Sequence, residues 1–261
     1  MKRVVVVAAG VSKWGRRAAT WRDMGMEAIK NCLDSNPNIN PKEIDSVILS
    51  TAYIERTGVQ VHATPFLFNT MGIYPSKLSL RVENMCGSGT TAIRTAWWAI
   101  ASGYTDMVLC VGVEKLLIPS HEEIFLNAAL GADKEWDAAF GPTPPAYFAL
   151  AAQVHMRRYG TTEEQLALVS LKNHTHALKT PYAHHYESYK KKGPVTMETI
   201  MNSRPIAPPL KLYDCSTNTD GAAAVIIASE EKAKKLTDKP CLLYTSPSPR
   251  DLSTSRMPSS A

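Results

Sequence analysis

Short apolar runs separated by helix-length segments organise the first half of this chain, and they restrict what it can fold into. Lys2 to Ala9 is a near-continuous β-branched run, the mark of a strand buried on both faces. Asp45 to Ala52, Leu78 to Val82 and Asp106 to Val113 read as three further strands. Between them, Thr20 to Leu33 places Met24, Ala28 and Cys32 at helical spacing, with Trp21 and Ile29 alongside. Val59 to Met71 reads as helix despite Pro65, and Thr91 to Ser102 as an apolar helix. Strands alternating with helices predict an α/β fold: a mostly parallel, mixed sheet covered by helices on both faces.

The alternation stops after the fourth strand. Glu114 to Leu212 reads as mixed helix and loop, with prolines at 119, 142, 144, 145, 181, 194, 205, 208 and 209. A strand returns at Ala222 to Ala228, and Ser229-Glu230-Glu231-Lys232 opens a helix. Structureless loops of such length are uncommon, so the insertion predicts a subdomain over one end of the sheet. The expected division is 1–113 with 213–240 as one α/β domain and 114–212 as the insert. No internal repeat is visible. The chain has 261 residues, of which 44% are hydrophobic, enough for a sizeable core and against general disorder. A net charge of +5 suits an anionic ligand but does not point to nucleic acid. Five cysteines without paired spacing (Cys32, Cys86, Cys110, Cys215, Cys241) predict reduced thiols and a cytoplasmic setting. Val4 to Ala9 is too short for a signal-peptide core, and no apolar run approaches a membrane span.

Val82-Glu83-Asn84-Met85-Cys86-Gly87-Ser88-Gly89-Thr90-Thr91 puts a cysteine between the third strand and the helix after it. A helix N-terminus offers unpaired N–H groups and the positive end of the helix dipole, both of which favour a nucleophilic thiolate. Gly87 and Gly89 lack Cβ atoms, so a substrate carbonyl can approach the backbone. From spacing alone a buried core thiol at the turn is equally compatible.

Four segments in order, spanning roughly residues 1–236, resemble the thiolase family. The Cys86 run is similar to its acylation site. Gly10-Val11-Ser12-Lys13-Trp14-Gly15-Arg16 resembles the N-terminal turn of the branch related to sterol-carrier-protein and archaeal acetoacetyl-CoA thiolases. Tyr159-Gly160-Thr161-Thr162-Glu163-Glu164-Gln165-Leu166-Ala167 resembles a helix start in the family's loop domain. Asp214-Cys215-Ser216-Thr217-Asn218-Thr219-Asp220-Gly221-Ala222-Ala223-Ala224 resembles its Ser-x-x-x-Asp-Gly-Ala-Ala-Ala strand start.

The resemblance implies a thiolase-type acyl-CoA acyltransferase, acting by Claisen condensation or by thiolytic cleavage of a 3-ketoacyl-CoA. Cys86 becomes the nucleophile that carries the acyl group. Ser216 contacts the pantetheine arm of coenzyme A, and 114–212 is the loop domain that holds it. Phe140 to Ala146 corresponds loosely to a loop lining the pantetheine channel. A coenzyme A thioester is the substrate, with no permanently bound cofactor. The complete protein is expected as a homodimer or homotetramer. Alternatives are another condensing enzyme of the same fold (ketoacyl synthase or hydroxymethylglutaryl-CoA synthase type) or a non-catalytic, coenzyme A-binding half. The family's histidine and second cysteine lie in Gly-His-Pro-x-Gly and Cys-x-Gly-Gly motifs, and this sequence contains neither. The truncated chain is therefore expected to be inactive alone.

Other features read more plainly. Asp220 is expected to order the turn into its strand, and Cys32 and Cys110 to be core. The basic stretch Lys172 to Lys192, with His174, His176, His184 and His185, reads equally as a site for coenzyme A phosphates or as solvated surface; its histidines lack metal-ligand spacing. Trp97 and Trp98, about 100° apart on a helix, cannot both face one seam. Residues 241–261 break from the rest in composition. Cys241-Leu242-Leu243-Tyr244-Thr245-Ser246 and Ser255 to Ala261 match translated pieces of a common sequencing adapter, so the tail is set apart as a probable artefact.

Overall fold

The computed structural model describes residues 1–137, 140–141 and 143–243. Strands β1 (Val4–Val11), β2 (Ser46–Ser50), β3 (Leu78–Val82) and β4 (Met107–Glu114) fall within a residue or two of the apolar runs. They join β7 (Gly221–Ser229) and β8 (Cys241–Leu243) in one sheet of order β3-β2-β4-β7-β1-β8. The neighbours of β2 are parallel to it. β7 runs antiparallel between β4 and β1, and β8 is antiparallel to β1. Strands β1 to β4 thus point one way, which makes the sheet mixed and mostly parallel.

Alternation along the strands sends side chains to two faces. Val5, Val47, Leu49, Leu109 and Ile226 pack under α1 (Trp21–Asp34), through Met24, Ala28, Ile29 and Cys32. Val4, Ile48, Val108, Cys110 and Ile227 pack under α4 (Ser88–Ala101), through Ala92, Ala96 and Ile100. Cys32 and Cys110 are core, as expected, and burial pushes both thiols up to about 12. Helix α1 starts where a capping box fixes it: Thr20 Oγ1 accepts from the Asp23 amide, and Asp23 accepts from the Thr20 amide. The predicted helix over 59–71 is broken up. Only α3 (Ala63–Phe68) and a 3-10 turn (Asn69–Met71) form within it, after a separate short α2 (Ile54–Thr57), and Val59 and His62 adopt φ of 48° and 55° between α2 and α3.

The insert between β4 and β7 is mainly helical: α5 (His121–Ala129), α6 (Pro144–Tyr159), α7 (Glu163–Ala177), α8 (Tyr186–Lys192) and α9 (Met197–Met201). A small hairpin of β5 (Pro205–Ala207) and β6 (Leu210–Lys211) follows. Gly160 takes φ 69° to end α6, and Thr162 with Gln165 makes the capping box that starts α7. The motif over 159–167 is thus a helix stop followed by a helix start. Ser229 caps α10 (Glu230–Ala233) by accepting from the Lys232 amide.

The tail expectation needs one correction. Cys241–Leu243, set apart on composition, pair main chain to main chain with Val4–Val6. The unpaired edge of β1 accepts an extended segment whatever its side chains. Residues 244–261 lie outside the described residues.

Candidate active site

Cys86 lies in a 3-10 turn (Met85–Gly87) between the C-terminal end of β3 and the start of α4. Its side chain is exposed, so it is not a core thiol. No side chain caps α4, so the positive end of its dipole is open two residues beyond the cysteine. Ser88 staples the turn: its hydroxyl accepts from the Asn84 amide (2.8 Å) and donates to the Met85 carbonyl (2.6 Å). Asn84 Nδ2 donates to Thr91 Oγ1 (3.2 Å), one turn into the helix. Met85, just before the cysteine, is held at φ 46°. A non-glycine residue there costs about 1–3 kcal/mol, which the staple and the Met85 amide bond to Glu83 Oε1 (2.5 Å) help offset.

Two neighbours escaped the sequence reading. Tyr53, in the loop after β2, is half-buried; burial, then the charges of Cys86, Glu114 and Glu83, push its phenol above its ordinary value. Glu114, the last residue of β4, accepts a hydrogen bond from the Ala52 amide. Burial, reinforced by Glu55, raises this carboxyl against the pull of the Ala52 amide, the Thr51 hydroxyl and the Tyr53 amide. The only signal for Glu114 was its place, since the C-terminal edge of parallel strands is where α/β sheets gather ligands.

Ser216 is exposed and lines two cavities. One, of about 500 Å³, is walled by Ile124, Thr143, Pro144, Pro145, Phe148 and Ser216, among others. Three members of the expected channel loop therefore line it; Pro142 lies outside the described residues. The other, of about 450 Å³, brings His174, His184, His185 and Tyr213 to the opposite flank of the same segment. Cys86 is not among the residues lining either one. Among the described residues no group of three or more His, Cys, Asp or Glu could hold a metal ion. No helix among them is long and apolar enough to cross a membrane.

The glycine-containing turn at 10–16 and the strand start at 214–224 meet each other. The Ser12 amide donates to the Ala222 carbonyl (2.9 Å), and Ser12 Oγ accepts from the Ala222 amide (2.8 Å). Gly15 and Asp220 bond reciprocally through their main chains. Asp220 is fully buried and accepts from Lys115 Nζ (2.7 Å), the Leu117 amide (2.8 Å) and the Arg17 amide (3.1 Å). Burial alone would raise its pKa, but these donors outweigh burial and hold the carboxyl below its ordinary range. It ties three chain segments together.

The family model described as "Thiolase, N-terminal domain" matches residues 4–231. The chain belongs to the thiolase family. An acetyl-CoA acetyltransferase from Methanothermobacter thermautotrophicus is 36% identical over 249 residues, covering 94% of this chain and 62% of that protein. One from Methanocaldococcus jannaschii is 35% identical, covering 94% and 60%. The structure of human mitochondrial 3-ketoacyl-CoA thiolase in complex with CoA has the same fold: TM-score 0.66, 20% identity, 90% of this chain and 66% of that one. The chain thus spans about three-fifths of the length of these two thiolase-family relatives.

Proposed function

We propose that this chain supplies the nucleophile and the coenzyme A-binding insert of a thiolase-type acyl-CoA acyltransferase. The observation that carries the reading is the exposed Cys86 at the uncapped start of α4, inside the family-matched region. Cys86 Sγ attacks the carbonyl carbon of an acyl-CoA thioester, with the oxyanion facing the backbone N–H of Cys86. The carbonyl–sulfur bond to coenzyme A then breaks, coenzyme A leaves as a thiolate that takes up a proton, and S-acyl-Cys86 remains. In condensation, the carbanion of a second acyl-CoA bonds to that acyl carbon and expels the cysteine. Splitting one acyl transfer into two lowers each barrier. Ser216 and the cavity beside Pro144 and Pro145 receive the pantetheine arm, and residues 114–212 form the domain that carries it. Free thiols fit a cytoplasmic protein, and the exposed Trp98 on α4 fits a surface covered in a dimer or tetramer of the complete protein.

Incubating the chain with acetyl-CoA and mapping peptides by mass spectrometry tests the nucleophile. One acetyl group on Cys86, absent in Cys86→Ala, is expected. Acetylation at another cysteine, with Cys86 unlabelled, would overturn the assignment. Steady-state thiolysis is expected to be undetectable, because the histidine and second-cysteine motifs are not in these 261 residues.

A further inference from the structure

The segment 213–219 carries Ser216 into β7, and three histidines of the insert hold it from one flank. His174 Nε2 lies 3.0 Å from the Tyr213 carbonyl, and the Tyr189 hydroxyl lies 2.7 Å from His174 Nδ1. A carbonyl only accepts, so Nε2 donates to it, and both ring nitrogens are engaged. His185 Nε2 pairs with Thr217 Oγ1 (2.9 Å), and His184 Nδ1 with Thr219 Oγ1 (2.8 Å). The rings also crowd one another. Centroids of His184 and His185 are 4.8 Å apart, those of His174 and His185 6.1 Å, and Tyr189 stacks on His185 at 5.1 Å.

We propose that His174, His184 and His185 are joint positioning residues for the Ser216 segment: the three rings hold it against the insert, and protonation of His184 and His185 at mildly acidic pH releases its Thr217–Thr219 end. A second proton on His184 or His185 places a cation among half-buried neighbours and against the other ring, 4.8 Å away. Burial already holds His184 and His185 below their ordinary value, with His184 and His174 adding to the effect on His185. The charged groups facing them do not cancel this. Asp220 attracts a proton to His184, but it is engaged by Lys115, and Arg16 opposes it. Burial raises the Tyr189 phenol, which stays neutral in this range, and Asp214 lines the same cavity with one oxygen taken by the Lys211 amide. Ser170 Oγ also donates to the Tyr213 carbonyl, a bond that does not titrate, so release is expected at the Thr217–Thr219 end first.

The consequence for coenzyme A rests on the reading of Ser216 as its contact; the hold itself does not. Hydrogen exchange of the full chain, corrected for the intrinsic pH dependence, measures it directly. Amides of 213–219 are expected to lose at least tenfold protection between pH 7.5 and 5.5, while those of β4 keep theirs. A combined His174→Gln, His184→Gln, His185→Gln variant, neutral at both pH values, is expected to show no such loss. Should that variant fail to fold, Thr217→Val with Thr219→Val removes two of the bonds without touching the rings and is expected to be poorly protected at both pH values. Equal protection of the unaltered chain at both pH values, or the same loss in the glutamine variant, would overturn the proposal. Coenzyme A affinity is expected to fall in parallel. No binding at any pH, with the exchange result as expected, would sink the Ser216 reading alone.

Discussion

Asp220 shows how one buried residue can hold together segments that are far apart in the chain. Its carboxylate is fully buried, yet it meets an ammonium and two amides from different parts of the chain. Removing the charge while keeping the shape leaves the half-buried Lys115 without its counter-ion, a loss of about 3–5 kcal/mol for buried pairs. Asp220→Asn is expected to lower unfolding free energy by about 3 kcal/mol in urea titrations at pH 7; a change within 0.5 kcal/mol would refute the tie. Because the folded carboxyl titrates below its ordinary value of 3.8, this contribution is present above that pH and fades as pH falls further. Cys86 was legible in the sequence because glycine, serine and a strand–helix junction are local signals. Tyr53, Glu114 and the histidine–threonine pairs were not. Their partners lie about 30 residues away or more, and nothing local marks which polar side chains will converge.

At the scale of elements, apolar runs located the strands but not their neighbours. A run buried on both faces looks the same in either direction, so nothing in Ala222 to Ala228 showed that β7 would slot antiparallel between β4 and β1. That placement depends on the insert, which returns the chain at the C-terminal ends of β1 and β4. The break in the helix expected over 59–71 was missed for a different reason: left-handed backbone at the exposed Val59 and His62 leaves no mark in the pattern of apolar residues. Gly10 shows the opposite case, a local residue choice dictated by two elements. An added Cβ would sit 2.2 Å from the Cys32 amide nitrogen and 2.6 Å from the Asn31 carbonyl carbon, so β1 and α1 touch backbone to backbone. Gly10→Ala is expected to cost about 3 kcal/mol and lower Tm by roughly 6–10 °C. Gly25→Ala makes the control. Its Cβ meets only the Leu67 side chain at 2.9 Å, and alanine gains about 1 kcal/mol of helix propensity. Equal losses in the two variants would show that the close approach of β1 and α1 is not what Gly10 serves.

For the whole molecule, the two core cysteines set a limit on the alkaline side. Cys32 lies on the buried face of α1 and Cys110 on β4 under α4, in the cores on opposite faces of the same sheet, and burial pushes each thiol up to about 12 from an ordinary value of 9.0. Above pH 9 the unfolded chain releases both protons while the folded chain keeps them. The unfolded state then binds fewer protons, and stability falls as pH rises toward 12. Each thiol contributes about 1.4 kcal/mol per pH unit once its unfolded form is ionised, so the pair gives about 2.7 kcal/mol per unit. Half-buried Cys215, also raised by burial and then by Asp214, adds in the same direction, which makes the limb at least this steep. Cys32→Ala or Cys110→Ala loses some packing at every pH, so the decisive quantity is the slope and not the absolute stability. Urea unfolding under reducing conditions between pH 8.5 and 10 is expected to show a single variant with a visibly shallower fall than the parent. The double variant should retain only the residue due to Cys215 and other groups. A slope unchanged by both substitutions would mean that the thiols ionise in place, and that the two faces of the sheet are more open to water than their packing implies.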